Sequence, residues 1–238
     1  ILPDLAAWAA QHLADPEVAI DRLAATRLAA MLAHSRHLQR LARSYPDIVA
    51  PILNGDGDAV ITAAIARLEQ ESTRCDDEPA MMAALRRLRA HSALAVAMSD
   101  MAGLASVSSQ MRWLSLAADA ALRATVTYLF RQADRRGHIR DAAAFIKHPD
   151  LAGCGWTVLA LGKLGAGELN YSSDIDLILL HDPIDNPLVT PDASQSFYVE
   201  GGGGEGGPKR TQDASAMLLY TRPSHVPSPY VHTSISFH

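Results

Sequence analysis

An α+β fold is what the sequence predicts: a mostly helical region over residues 1–150, a partial strand-bearing core over 151–199, and a disordered tail over 200–238. Three observations carry this expectation. The first 150 residues are rich in Ala, Leu, Met and Arg, with apolar positions at helical spacing, a composition and period that favour helix. Between 155 and 182 the period becomes that of extended chain. From Glu200 the character changes again: six glycines fall within 201–207, and Pro208, Pro223, Pro227 and Pro229 follow in a stretch with neither period. Such a segment buries too little apolar surface to offset its ordering entropy.

The elements follow in order. Asp15-Pro16-Glu17 reads as an N-cap, a first-turn proline and an acid favoured by the helix dipole. Ile20, Leu23, Ala24, Leu28, Met31 and Leu32 then recur on one helical face, and Leu38 and Leu41 continue the pattern to Tyr45-Pro46 with a break near Ser35. Further helices are expected over 57–71 (Val60, Ile61, Ala64, Ile65, Leu68) and 79–100 (Met81, Met82, Leu85, Leu88). A fourth starts after Ser108 or Ser109, turns Met111, Leu114, Ala118, Leu122 and Leu129 to one side, and ends at Arg135, Arg136 and Gly137, where cations and a glycine suit a helix C-terminus. The apolar run 156–161 fits a buried strand. A glycine-punctuated turn and a polar segment over 168–173 precede a second strand over 174–181, whose continuous apolar residues 177–180 suggest cover on both faces.

Composition removes several classes of partner. A net charge of -5 leaves no basic surface for a nucleic-acid backbone or an acidic lipid, and no apolar run approaches the 18 or so residues needed to span a bilayer. Cys75 and Cys154 are too few for a disulfide framework, which fits a reducing, cytoplasmic setting. The chain opens on Ile1 rather than Met and is expected to be a fragment.

Asp174-Ile-Asp176 carries the chemistry. Residues two apart on a strand share a face, at about 6.6 Å for a rise of about 3.3 Å per residue. At an effective dielectric near 20, two carboxylates there repel by roughly 2.5 kcal/mol. A divalent cation turns that repulsion into binding, and Mg2+ suits the pair because it takes one or two carboxylates and completes its shell with waters and phosphate oxygens. The glycine turn just upstream, Gly162-Lys163-Leu164-Gly165, allows backbone N–H groups to approach phosphates closely. It is neither a Walker loop, since Leu164 stands where Ser or Thr would be, nor a dinucleotide fingerprint.

The run from Leu161 to Leu177, Leu-Gly-Lys-Leu-Gly-Ala-Gly-Glu-Leu-Asn-Tyr-Ser-Ser-Asp-Ile-Asp-Leu, resembles the signature of bacterial glutamate-ammonia-ligase adenylyltransferases, bifunctional enzymes of the polymerase beta-like nucleotidyltransferase superfamily. The helix bearing Trp113 and Asp119, leading to Arg131 and Gly137, resembles the segment preceding the first nucleotidyltransferase core of that family. The likeness covers roughly residues 10–199 and is most specific over 159–182. It implies metal-dependent nucleotidyl transfer on a tyrosine of glutamine synthetase, this part resembling the half that removes AMP by phosphorolysis and releases ADP. By the same resemblance Asp174 and Asp176 are the catalytic Mg2+ ligands. Gly162, Lys163, Gly165 and Ser173 contact the phosphates of ATP or ADP, and the PII signal protein acts through the complete enzyme. Lys163 equally fits a solvated surface lysine, and Glu168 and Asn170 equally fit turn capping. The superfamily site needs a third carboxylate from a later strand, and no acidic residue after 199 lies in a strand pattern. The tail therefore reads as a frameshifted or truncated product, and activity is expected to be impaired.

Two other readings compete. In a glycosyltransferase an Asp-x-Asp pair binds manganese and a nucleotide sugar, but a preceding α/β domain is required where this chain looks helical. The other is a noncatalytic helical interaction fragment. Asn54-Gly-Asp56-Gly-Asp58 has Ala59 and Ile65 where a calcium loop needs Gly and Glu, so it reads as a polar turn capping the next helix.

Overall fold

The computed structural model describes residues 30, 32, 34–137, 156–181 and 230–236. The expected cap at Asp15 and most of the helix after it lie outside these residues, as do the boundary near residue 150 and most of 200–238. The chain is mostly helical with a small antiparallel sheet. Helix α1 (Arg36–Ser44) starts at the anticipated break, where the Ser35 hydroxyl accepts a hydrogen bond from the Leu38 N–H at 3.3 Å. A 3-10 turn (Pro46–Ile48) and the short α2 (Val49–Leu53) follow; the sequence pattern had ended the helix at Tyr45 without them. Val49, Ile52 and Leu53 are fully buried, so tertiary packing holds a segment too short to be helical alone.

Helices α3 (Gly57–Ser72), α4 (Glu78–Ala102) and α5 (Val107–Arg135) form the body. Asp56 stands at the N-cap of α3 without a side-chain cap bond, so the polar turn there does not cap as expected. Asp58 in the first turn is used instead, accepting from the Trp113 indole Nε1–H at 2.8 Å and pairing with Arg112. Asp77 caps α4 by accepting from the Ala80 N–H at 2.9 Å, and Gly103, at φ +69°, closes it with the Leu104 N–H on the Ser99 carbonyl. α5 begins at Val107, earlier than the serine pair suggested, because Ser106 is the residue that caps it. Its buried stripe matches the expected face only at Ala118: Ala117, Ala121 and Ala124 are buried with it, as are Trp113, Tyr128 and Phe130, while Met111, Leu114, Leu122 and Leu129 are only partly so. Alanines permit close helix approach, and the partly buried Met and Leu side chains flank the seam.

The end of α5 clasps the α3–α4 connection. Arg131 donates to the Ser72 carbonyl at 2.8 Å, Gln132 to the Asp76 carbonyl at 3.1 Å, and Arg135 pairs with the Asp76 carboxylate at 2.6 Å. Two apolar clusters result. One gathers α1, α2 and the facing halves of α3 and α4 around Ile52, Leu53, Ile61, Leu94 and Met98. The other joins α3, α4 and α5 to the sheet through Leu164, Leu169, Ile175 and Leu177, and Ile65 and Leu114 touch both.

Strand β1 (Trp156–Ala160) pairs antiparallel with β2 (Asp174–His181), with Ala160 opposite Leu177 and Val158 opposite Leu179. Ile175, Leu177 and Leu179 are buried, whereas Asp174 is exposed and Asp176, Ile178 and Leu180 are half-buried. Among the described residues β2 is thus covered on one face, which corrects the expectation of a strand covered on both. Its apolar run reflects an outer face that is hydrophobic without being enclosed. A third strand, β3 (Tyr230–Ser236), pairs antiparallel with the other edge of β2, inside the stretch expected to be disordered. Tyr-Val-His-Thr-Ser-Ile-Ser is rich in strand-favouring aromatic and β-branched residues, and an open edge of β2 offers it unpaired backbone groups.

His91, on α4, is 5 % exposed and meets the Tyr45 ring edge-on at 4.7 Å between centroids. Burial pushes its imidazole below the ordinary value; Arg67 and Arg87 push the same way, against Asp47 and Glu71. A group whose folded pKa is depressed binds its proton more readily when unfolded, so its contribution is whole above about pH 6.5 and declines as pH falls below that value. The urea midpoint is therefore expected to drop between pH 7.5 and 5.5, and His91→Phe to flatten that dependence. No described helix is long and apolar enough to cross a membrane.

Candidate functional site

The turn between β1 and β2 places the candidate residues. Leu161 continues the ladder, its N–H donating to the Asp176 carbonyl at 2.8 Å, and the chain then folds into a single helical turn, α6 (Gly162–Gly165). Gly162 takes φ +55°, and a Cβ built there would lie 3.7 Å from Asp176 Oδ2. The carboxylate thus sits against the turn's first residue. At Gly165 a Cβ would come within 2.5 Å of the Ala160 carbonyl oxygen, so any side chain there would push the turn off β1. Gly165 therefore serves the seating of the turn. Lys163 is exposed on it, and the Lys163 carbonyl accepts from the Glu168 N–H at 2.7 Å.

Ser173 is buried. Its hydroxyl donates to Asn170 Oδ1 at 2.5 Å and accepts from the Asn170 N–H at 3.3 Å, while the Ser172 N–H also reaches Asn170 Oδ1. Asn170 and Ser173 thus lock the turn entering β2, the capping role open to Asn170 from the sequence. Ser115 is the residue that sequence reasoning did not single out. Buried on α5, it donates to the Met111 carbonyl at 2.9 Å and accepts from the Leu169 N–H at 3.1 Å, fastening the loop before the carboxylates to the helical body. Its signal was a serine between apolar positions on a buried helical face, which chain periodicity alone does not separate from a back-bonded hydroxyl.

Asp174 and Asp176 share the outer face of the sheet with Leu159 and Leu161, 43 % and 37 % exposed, and the inner face is apolar. β3 places Ser236 opposite Asp174 and Ser234 opposite Asp176. Among the described residues no group of three His, Cys, Asp or Glu side chains comes together as a metal site. The donor set is oxygen-only and acidic, reachable from solvent, and beside a tight glycine turn. Two such carboxylates suit one hard cation that takes its remaining ligands from water and phosphate.

An acidic, oxygen-only pair of this kind could hold a divalent cation against phosphate oxygens. Residues 25–199 match the family model for glutamate-ammonia ligase adenylyltransferase, and the chain belongs to this family. It is similar to the bifunctional glutamine synthetase adenylyltransferase/adenylyl-removing enzymes of Bradyrhizobium sp. (strain ORS 278), 37 % identical over 79 % of this chain and 18 % of that one, and of Bradyrhizobium diazoefficiens, 39 % over 69 % and 16 %. The counterpart from Mesorhizobium japonicum is 37 % identical over 71 % of this chain and 17 % of its own. The chain thus spans less than a fifth of the length of these curated relatives. No solved structure matches it.

Proposed function

We propose that this chain carries the adenylyl-removing site of a cytoplasmic glutamine synthetase adenylyltransferase, in an incomplete polymerase beta-like core. The observation that supports this best is the seating of Asp176 against Gly162, with Asp174 beside it on the same open face of β2. Asp174 and Asp176 would hold Mg2+, which when bound neutralises phosphoryl oxygens and aligns an in-line displacement. Lys163 offers a cation, and the first N–H groups of α6, which lack acceptors inside the turn, would be available to the phosphates of ADP or ATP. Gly165 and Ser173 act by holding that turn in place.

In the reaction, an oxygen of inorganic phosphate attacks the phosphorus of the adenylylated tyrosine. The bond from phosphorus to the tyrosine oxygen breaks, the phenolate leaves and takes up a proton, and ADP is released. The chain's own part is to orient the phosphate ester against β2. With two carboxylates in the described site, a second cation has too few ligands, so turnover is expected to be impaired. Glutamine synthetase is the protein substrate, and regulation by the PII signal protein belongs to the complete enzyme.

Calorimetric titration with ADP in Mg2+ and in EDTA, run beside a deadenylylation assay on adenylylated glutamine synthetase, tests this reading. Saturable, Mg2+-dependent binding that Asp176→Asn abolishes and Asp174→Asn weakens, with little turnover, is the expected result. Normal turnover would overturn the impairment; absence of binding would overturn the site and leave a noncatalytic helical interaction fragment.

A further inference from the structure

Asp174 and Asp176 occupy only the end of their strand face that lies nearest the glycine turn. Beyond them the same face is apolar and open. On β2 it continues with Ile178 and Leu180, both half-buried, and on β1 with Leu161 and Leu159, 37 % and 43 % exposed. The antiparallel register sets Leu159 opposite Ile178, and the Leu161 N–H bonds to the Asp176 carbonyl. One contiguous apolar platform therefore starts beside the carboxylates and runs away from the turn. The register of β3 puts ring-bearing residue types at its far rim, His232 opposite Ile178 and Tyr230 opposite Leu180. A leucine exposed singly on a surface needs no explanation, but a contiguous row on one face, next to an acidic pair, does.

Position selects the occupant. Asp176 and Ile178 are two residues apart, about 6.6 Å along the strand. One ribose bridges such a gap between a phosphate and its base. A nucleotide whose phosphates sit at the carboxylates and the Gly162 turn thus carries its ring either over this platform or off the end of the strand into water. Ligand sites pair an apolar lining with a few polar groups that fix orientation, and here the polar groups stand at one end of the lining. A flat ring laid on the leucines and Ile178 removes apolar area from water on both partners.

We propose that the outer face of the sheet, with Leu159 and Ile178 at its centre, seats the purine ring of the nucleotide held by the carboxylates and the glycine turn. This rests on the nucleotidyl-transfer reading and names the part of the substrate which that reading leaves unplaced. Leu159, Leu161, Ile178 and Leu180 offer area and no side-chain hydrogen bond, so they discriminate by ring size, favouring a purine over a pyrimidine.

Calorimetric titrations of the whole chain with ADP, UDP and pyrophosphate, each in Mg2+, test the platform. UDP carries the same ribose and phosphates on a smaller ring and is expected to bind more weakly than ADP. Leu159→Thr removes apolar area from an exposed position and keeps a strand-favouring residue. It is expected to weaken ADP about five-fold and to leave pyrophosphate unchanged, and Ile178→Thr on the facing strand to do the same. Leu159→Phe keeps a large apolar surface under the ring and is expected to bind ADP at least as tightly as the parent chain. An ADP affinity indifferent to Leu159→Thr and Ile178→Thr, or a loss shared equally by pyrophosphate, would overturn the platform while the phosphate site stands, and would leave the face as a contact for a protein. If neither pyrophosphate nor ADP bound the parent chain, the reading beneath the platform would fall, and the platform with it.

Discussion

Replacing Asp176 with asparagine is expected to reduce Mg2+-dependent ADP binding by at least about 100-fold, and Asp174→Asn to reduce it less. The ranking comes from position. Asp176 is half-buried, its backbone carbonyl is fixed by the Leu161 N–H, and its carboxylate lies against Gly162, so its geometry is set before any ligand arrives. Asp174 is exposed at the first residue of β2, where it has more freedom. Removing even an outer partner of a metal ligand costs 10- to 100-fold in affinity, which sets the floor for removing a ligand itself. A folding defect would look different. Neutralising one of two carboxylates on the same face relieves their repulsion in the cation-free protein, so Asp174→Asn should unfold at the same or a higher temperature while losing affinity. If both variants bound Mg2+ and ADP like the parent chain, the pair would be an ordinary solvated strand end.

Much of this arrangement could be read from the sequence because its causes are local. The break at Ser35, the ends of α3 and α4, the Gly137 stop and the Asp-x-Asp strand follow from caps, glycines and period, interactions among residues a few positions apart. What escaped depended on partners distant in the chain. Whether the outer face of 177–180 is covered cannot be read from an apolar run, since a one-sided sheet with a hydrophobic exterior has the same composition. β3 exists through the edge of β2, whose paired residues lie 50 to 62 positions earlier. The distinction between Gly162, placed by its positive φ against a carboxylate, and Gly165, placed by the Ala160 backbone, is a matter of a few ångströms in space, whereas both are simply glycines in a turn when read along the chain.

Gly57→Ala is expected to destabilise the helical body by about 1–3 kcal/mol, and Trp113→Phe to remove most of that penalty. The benzo ring of Trp113, 3 % exposed, packs against the first residue of α3: a Cβ on Gly57 would meet three of its outer ring carbons at 2.3, 2.8 and 3.0 Å. Those atoms belong to the benzo ring, which a phenylalanine does not extend as far. In the parent protein the alanine methyl must therefore displace either α3 or a buried ring that also holds Asp58 through Nε1–H, and neither gives cheaply. In the Trp113→Phe background the clash is gone, and alanine's better helix propensity opposes whatever cost remains. Trp113→Phe alone loses buried contact and the indole bond. Trp113→Ala, which empties the site between α3 and α5, is expected to cost about 3–5 kcal/mol. Urea unfolding of the two single variants and the double variant gives the coupling directly. A cycle that closes to within about 0.5 kcal/mol would mean that the two residues do not interact and that the contact between α3 and α5 is made elsewhere. A coupling of about 1–3 kcal/mol would fix Trp113 as the wedge that spaces the helices, and with them Ser115, two residues along α5, which holds the loop leading to the carboxylates.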